Sequence, residues 1–446
     1  MQRLFNLHDR LLSLTPMKII RKCGMEINWD TPMLAIRGPK GVGKSTLLRQ
    51  YIRLHYNKED RTVLYCSLDN SYFADHSILD LAEEFYRKGG KHLFLDEIHK
   101  YSNWSRELKE IYDSYPDMQL VISGSSLLSL QQGKADLSRR CINHDFQGLS
   151  FREYLQFYKG IDLPVCSLDE ILTNPWSLIE KVYDACKPMA YFDEYLACGY
   201  YPYYNKNTTD YYSAINSVIQ YIIEDELPRI CKVELENTRK IRALMNVLAA
   251  SEPYEVDMSR MSIQSGLQRK TILIYLKYLS DAKLVNLLYS DLINVKKMQK
   301  PDKIYIENTN MLYALATHSI KEGTLRETFA VNHLVVNHSV EYGKLHGDFV
   351  VDGKYTIEVG GQSKNFKQIA NIPNSYIFAD DIEYPWENKL PLWLLGFLYG
   401  FDNNIKNRLS INQTRTNGSD FVILLRSSNH RFNTPLYSYF SARVNR

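Results

Sequence analysis

At 446 residues the chain is too long for one ordinary core, so two or three domains are expected, and its 45% hydrophobic content can fill them. With 54 basic against 51 acidic residues the net charge is only +3, so any nucleic-acid footprint has to be local. Seven scattered cysteines lack the spacings of a zinc site or disulfide framework, Met1 to Arg10 lacks the apolar core of a secretory signal, and the longest apolar stretch, Pro391 to Phe401, falls well short of the ~20 residues a membrane helix needs. A cytoplasmic, reducing location without a membrane span is the expectation.

From Met33 to Ser126, short apolar runs alternate with longer helical patterns, the signature of a parallel sheet wrapped by helices. The pattern predicts strands at Met33–Ile36, Thr62–Ser67, His92–Leu95 and Leu120–Ser123, with helices at Lys44–Tyr56, Ile78–Lys88 and Trp104–Tyr115. From about Phe151 to Arg229 the chain turns helical and aromatic, broken by loop signals at Asp162–Pro164, Asn174–Pro175 and Gly199–Pro202, and reads as a helical lid or connector. Between Thr238 and Tyr289, three helical stretches, the last at Arg269–Leu279, lead into an apolar strand at Leu284–Tyr289, which is the order of a winged helix. Beyond Lys303, a strand at Ile304–Ile306, a helix at Arg326–Ser339 and a hairpin around Asp352-Gly353 predict a separate α/β domain. The last stretch, Asp402 to Arg446, is rich in Asn, Ser and Arg and suggests one strand at Phe421–Leu425. The domain boundaries expected are 1–150, 151–235, 236–300, 301–400 and 401–446.

Gly38-Pro39-Lys40-Gly41-Val42-Gly43-Lys44-Ser45 matches G-x-x-x-x-G-K-[ST] at every fixed position, between a predicted strand and a predicted helix. Glycines let the backbone curl so that successive N–H groups face phosphate oxygens, and the helix that follows presents its positive end. Lys44 adds a mobile charge at the β- and γ-phosphates, Ser45 offers a hydroxyl to Mg²⁺, and Thr46 completes the cradle. A second motif, Lys91-His92-Leu93-Phe94-Leu95-Asp96-Glu97, is an apolar strand ending in two carboxylates, as Walker B strands do. Asp96 would hold Mg²⁺ or its water, and Glu97 would orient the attacking water and accept its proton. The strand Thr62–Ser67 between the two motifs implies that another strand, Leu120–Ser123, separates them in space. Its end, Ser123-Gly124-Ser125-Ser126, is either a phosphate sensor acting through a hydroxyl, Ser125 foremost, or an ordinary Ser-Gly turn. Arg139 and Arg140 are the nearest candidates in sequence for a cation at the transition state, within the chain or on a neighbour, and a basic surface pair is the alternative.

These residues resemble the AAA-like P-loop ATPases of bacteria and archaea that carry a C-terminal nuclease-like domain of unassigned function. The resemblance runs roughly from Arg21 to Tyr399 and rests on Gly38 to Ser45, Leu95-Asp96-Glu97-Ile98-His99 followed by Trp104, Ser123 to Ser126, Asp136 to Arg140, Leu149 to Tyr154, and Arg326-Glu327-Thr328-Phe329. It implies an ATPase domain with ATP and Mg²⁺, a helical and winged-helix middle, and an end of the PD-(D/E)xK nuclease fold.

Asp348-Phe349-Val350 and Ile357-Glu358-Val359 look like the metal-binding half of that nuclease pattern, but Gly360 stands where its lysine belongs, and Lys364 is off the spacing. A two-residue turn at Asp352-Gly353 would put Asp348 and Glu358 on opposite faces, whereas a three-residue loop, Asp352 to Lys354, would put them on one face; only the second makes a site. Glu327 could join them. In the helix Arg269–Leu279, an apolar stripe of Ile272, Leu276 and Leu279 leaves Arg269, Lys270 and Lys277 outward, suited to DNA phosphates or simply solvated. Three readings therefore stand: an ATP-hydrolysing switch or motor, a nucleotide-gated DNA- or protein-binding module with a degenerate nuclease-like end, and an ATP-driven nuclease. A homo-oligomer is compatible with each.

Overall fold

The computed structural model describes residues 1–399 except 22–23, 25–26, 129–136, 138, 251–253, 291–299, 317 and 345. The strand expected at Phe421–Leu425 lies outside the described residues.

A helix α1 (Gln2–Leu14) precedes a first sheet made of β1 (Met33–Gly38), β2 (Val63–Ser67), β3 (His92–Asp96), β4 (Gln119–Ser125) and β5 (Ile142–Asp145), all parallel, in the order β2-β3-β4-β1-β5. The strand that follows the acidic pair in sequence, β4, does lie between the glycine-loop strand β1 and the acidic strand β3. Period-two alternation sends the side chains of this sheet to two cores. Met33, Ala35, Leu64, Leu93, Leu95, Leu120 and Ile122 pack with α1, α3 (Ile78–Arg87) and α4 (Trp104–Ser114). Leu34, Ile36, Tyr65, Phe94 and Val121 pack on the other face with α2 (Lys44–His55) and with helices further along the chain. That second face carries the odd-numbered end of β4, so Val121, Ser123 and Ser125 line up on it.

Two elements of this part were not anticipated. Helix α1 fully buries Leu4, Phe5 and His8, half-buries Leu7, Leu11 and Leu12, and leaves Leu14 exposed. Strand β5 is an exposed edge whose sequence, Ile142-Asn143-His144-Asp145, carries no apolar run.

The region expected as a lid is helical, but it divides between two cores. Phe151, Tyr154, Leu168, Leu178, Phe192 and Tyr195 pack with the last sheet, whereas Tyr200, Tyr211, Ile215, Ile219 and Ile223 pack on the first sheet. The second group belongs largely to a continuous helical run, 208–231, made of Thr208–Tyr221, a π-helical turn Ile222–Glu226, and Leu227–Cys231. Pro228 gives a local reason for the π turn: it has no N–H for the Glu224 carbonyl, and its ring crowds that carbonyl, so the preceding turn widens.

Helices Leu235–Ala249, Met258–Ser265 and Arg269–Asp281 follow, with a three-stranded sheet of β6 (Tyr254–Glu255), β7 (Val285–Leu288) and β8 (Lys303–Ile306) in the order β6-β8-β7. Ile272, Leu276 and Leu279 are buried, and Arg269, Lys270 and Lys277 are exposed. The last sheet comprises β9 (Val340–Tyr342), β10 (Phe349–Val351), β11 (Tyr355–Gly360), β12 (Ser375–Ala379) and β13 (Lys389–Pro391), in the order β13-β12-β11-β10-β9. Its first three strands are antiparallel neighbours and its last three parallel ones. Phe349 pairs with Ile357 and Val351 with Tyr355, so the connection is the three-residue loop Asp352 to Lys354, with positive φ at Asp352 and Gly353. Among the described residues no helix is long and apolar enough to cross a membrane.

Candidate functional site

The glycine loop leaves the end of β1 and enters α2 through two left-handed residues, Gly41 at φ 89° and Gly43 at φ 101°. These are conformations that a side chain resists. Gly38 is needed for a different reason: a Cβ there would lie 2.0 Å from the Phe146 carbonyl oxygen. Pro39 and Val42 are buried, while Lys40, Gly41, Ser45 and Thr46 are half-buried. Lys44 folds back over the loop, its Nζ donating to the carbonyls of Gly38 at 2.9 Å and Pro39 at 2.8 Å. Burial pulls its ammonium below the ordinary lysine range, against the opposing fields of Glu97, Asp96 and Glu226. A cation held at the mouth of a ring of backbone amides, at the positive end of α2, makes an anion site.

Asp96 ends β3 on the face of Phe94 and Tyr65. Its Oδ2 accepts from the Tyr65 hydroxyl at 2.6 Å, and its Oδ1 accepts from the Ser123 hydroxyl and from the Glu97 amide at 3.1 Å. Hydroxyl and carboxylate oxygens such as those of Ser45 and Asp96 are the hard ligands that Mg²⁺ takes alongside phosphate oxygens and water. Glu97 adopts φ 54°, a left-handed conformation that costs a non-glycine residue about 1–3 kcal/mol and turns its carboxylate off the strand toward partial exposure.

The remaining sequence candidates fall in different places. Ser125 is on the correct face, but its hydroxyl donates to Glu226 Oε2 at 2.8 Å. Arg140 lies apart from the glycine loop of its own chain. It forms a two-pronged ion pair with Asp113 near the end of α4, just before β5, whose first residue Ile142 pairs with Leu34. The glycine loop lies past the other end of β1, so parallel strand direction carries Arg140 away from it. Arg139 adjoins Arg140 there.

Three residues at the site were missed in the sequence. Arg21 donates to both Glu153 oxygens, at 3.1 and 2.8 Å, to the carbonyls of Gln147 and Gly148 at 2.7 and 3.0 Å, and to Val42 of the glycine loop at 3.3 Å. Glu153 in turn closes a capping box with Ser150, which explains the Leu149 to Tyr154 motif as architecture. Burial favours the neutral Glu153 carboxyl, but Arg21 outweighs it and holds the group below the usual carboxylate range. His99 and Glu226 are the other two; His99 is marked only by following the acidic pair, and Glu226 carries no local signal. Beside the loop is a cavity of about 310 Å³ lined by Ile19, Arg21, Gly43, Thr46, Phe157 and Tyr203. Gln50 shapes its rim by donating to the carbonyls of Pro16 and Ile19 at 2.7 and 2.9 Å.

In the last sheet, the pairing ends with Phe349 opposite Ile357, and Asp348 lies just before it, its amide donating to the Ile357 carbonyl at 2.9 Å. Asp348 Oδ2 accepts from the Val359 amide at 2.8 Å, and Lys364 is paired with Glu358. A Cβ at Gly360 would fall 2.8 to 2.9 Å from the Lys364 side chain, so that lysine fills the space beside residue 360. Glu327 accepts from the Tyr305 hydroxyl at 2.7 Å and pairs with Lys303 at 3.3 Å. Burial, then the field of Asp348, raises both Glu327 and Glu358 above the usual carboxylate range. Among the described residues no three acidic, histidine or cysteine side chains converge closely enough to hold a metal ion by themselves.

Comparison with known proteins supplies a family for the first sheet. Residues 30–155 match an AAA domain, and residues 189–322 match a domain of unknown function, DUF8612. The chain is 25% identical to the uncharacterized protein MJ1637 of Methanocaldococcus jannaschii over 76% of this chain and 77% of that protein. It is also 25% identical to MJ1544 of the same organism, over 57% of this chain and 55% of that one. Among solved structures, the Walker-type ATPase PABY2304 of Pyrococcus abyssi aligns with a TM-score of 0.37 and 13% identity, over 69% of this chain and 94% of that one. The glycine loop, the acidic pair and the five-stranded parallel sheet all lie within the residues that match the AAA domain.

Proposed function

We propose that the chain binds ATP with Mg²⁺ and hydrolyses it, serving as a molecular switch or motor. The observation that carries this reading is the Lys44 ammonium held over the loop carbonyls while Asp96 and Glu97 emerge from β3, one strand removed from β1. The amides of Gly41 to Thr46 and Lys44 would bind the phosphates, and the apolar cavity beside them is of a size and lining for the base. Ser45 and Asp96 would hold Mg²⁺, which when bound neutralises charge on the phosphoryl oxygens. Glu97, partly exposed, would take the proton from the attacking water. Any part played by Arg139 or Arg140 would be on a neighbouring copy in a homo-oligomer. Lys44→Ala should abolish ATP binding in a calorimetric titration, and Glu97→Gln should bind ATP as the parent does while hydrolysing it at least ~100-fold more slowly. A Lys44→Ala protein that hydrolyses ATP at the parental rate refutes the assignment.

A second reading adds nucleic acid. It is supported by the nearness of Asp348 to Glu358, whose partner Lys364 fills the place beside Gly360, and by exposed Arg269, Lys270 and Lys277 on a helix that leads into the three-stranded sheet. Incubating plasmid DNA with Mg²⁺ and ATP separates cleavage from mere docking of DNA or protein: nicking lost in Glu358→Ala supports a nuclease, and intact DNA disfavours it.

A further inference from the structure

Three separate parts of the nucleotide site converge on the π-helical bend of the 208–231 helix. Tyr221, just before the bend, lies under the Lys40 ammonium of the glycine loop at 3.9 Å and under that of Lys100 at 4.7 Å, and also bonds Lys100 through its hydroxyl. Glu226, the last residue of the bend, is buried and accepts from Ser125 at the end of β4. Its other oxygen, Oε1, lies 3.5 Å from His99 Nε2. That same Nε2 is 3.3 Å from Glu97 Oε2.

The imidazole is fixed by its opposite side. The Ser125 amide donates to His99 Nδ1 at 3.3 Å, so in the neutral ring the proton sits on Nε2. Nε2 is fully buried, yet its approach to neither carboxylate is aligned as a hydrogen bond. One donor thus faces two acceptors and is committed to neither. A buried N–H left in this state is costly, so a small displacement of either carboxylate is enough to capture it.

We propose that Glu226 is a positioning residue for ATP hydrolysis: by competing for the His99 Nε2 proton it keeps His99 from clamping Glu97, and the 208–231 helix thereby sets whether Glu97 is available to water. When the helix is seated, Glu226 draws His99 and Glu97 turns to its water; when it lifts, His99 bonds Glu97 and holds it back. Charge-assisted bonds of this kind are stronger than neutral ones and lower the basicity of the carboxylate that accepts them. π turns within helices recur at functional positions, and this one supplies the offset that brings Tyr221 and Glu226 to the site together.

This inference rests on the ATPase reading, and one set of variants tests the two apart. Glu226→Ala should lower kcat roughly tenfold or more while KM for ATP stays within about twofold. Adding His99→Phe, which keeps a ring and removes the Nε2 donor, should restore most of the lost kcat, and Glu226→Gln, which keeps the Ser125 bond, should fall between parent and Glu226→Ala. A purely structural role for Glu226 predicts no rescue, because the second change would only add damage. If the parent hydrolyses ATP and either Glu226→Ala matches it or the double variant is no faster than Glu226→Ala, the inference is overturned and the ATPase reading stands. If the parent binds no ATP, both are overturned. Thermal melting of each variant identifies a general loss of fold, in which case Glu226→Gln decides: a kcat below the parent's with KM unchanged supports the inference, and a parental kcat overturns it.

Discussion

Replacing Arg21 by methionine keeps the length of the side chain and removes the only guanidinium bonded to both oxygens of Glu153 among the described residues. Glu153 is 2% exposed and Arg21 10%, so the variant leaves a carboxylate in the interior with little access to water. Breaking a buried pair from one side costs about 3–5 kcal/mol, most of it the desolvation of the charge left behind. With an unfolding entropy of about 2.1 cal/mol/K per residue, a unit the size of Met1–Gly400 converts that loss into a fall in Tm of about 4–6 °C. The pH dependence has a definite sign. In the parent, Glu153 is held below its ordinary value of 4.5, so its contribution is present above that pH and is lost as pH falls through the lower folded value. In the variant, burial is opposed only by the Arg152 guanidinium, 3.9 Å away, and by the Ser150 amide, so the carboxyl rises from its parental value and the folded state takes up a proton at a higher pH than the parent does. Between pH 8 and pH 5 only the variant's proton uptake narrows the difference between the two proteins, because the parent's own loss lies below pH 4.5. Differential scanning fluorimetry from pH 8 to pH 5 measures it, and Glu153→Gln with Arg21→Met should recover part of the loss. A fall in Tm under about 1 °C, or a difference that does not diminish toward pH 5, would refute the reasoning.

Gly38→Ala should lower both Tm and ATP affinity, since the new methyl would lie 2.0 Å from a backbone oxygen of Phe146 and the loop would have to shift from β5 to make room. Retention of parental affinity in a titration would show that the loop tolerates the displacement. Lys364→Ala leaves Glu358 without its ion-pair partner and should cost about 1–3 kcal/mol at pH 8. Glu358 is already raised by burial and by Asp348, so it takes up a proton more readily in the folded state and the cost should decline toward pH 5; a loss that grows on acidification contradicts this.

How much could be read beforehand follows from how local each signal is. Strands β1 to β4 are buried on both faces and appear as unbroken apolar runs, whereas β5 is an exposed edge of Asn, His and Asp between weaker neighbours. The glycine loop is legible because eight consecutive residues do one task. Arg21 and Glu153 lie 132 positions apart, and Ser125 and Glu226 lie 101 apart, and no periodicity marks either pair. Sequence proximity also misled: Arg140 follows the sensor-like Ser123 to Ser126 closely, but the chain has returned to the start of β5 by then, at the far end of the sheet. Asp352-Gly353 satisfies the chemistry of both turns, and only the pairing across β10 and β11 distinguishes the two registers.

The division of the helical region between two cores places a demand on the few residues where the chain crosses from one to the other. Tyr195 packs in the core of the last sheet and Tyr200 in that of the first, and both are tied by buried polar bonds rather than apolar contact alone. The Tyr195 hydroxyl donates to the Leu149 carbonyl at 2.9 Å, the Tyr200 amide donates to Asn310 at 2.8 Å, and the Tyr200 hydroxyl donates to Glu307 at 2.9 Å. Asn332 donates to that same Glu307 carboxyl at 3.0 Å. Apolar surfaces can slide by small steps at little cost, but a buried polar network loses heavily once any member is left unsatisfied, so it admits few arrangements. The crossing therefore fixes how the 208–231 helix enters its core. The first half of that helix is tied in the same way, Tyr211 donating to Asn310 at 2.6 Å and Asn216 to the Ala314 carbonyl at 2.7 Å, whereas Tyr221 and Glu226 lie beyond these ties, over the nucleotide site.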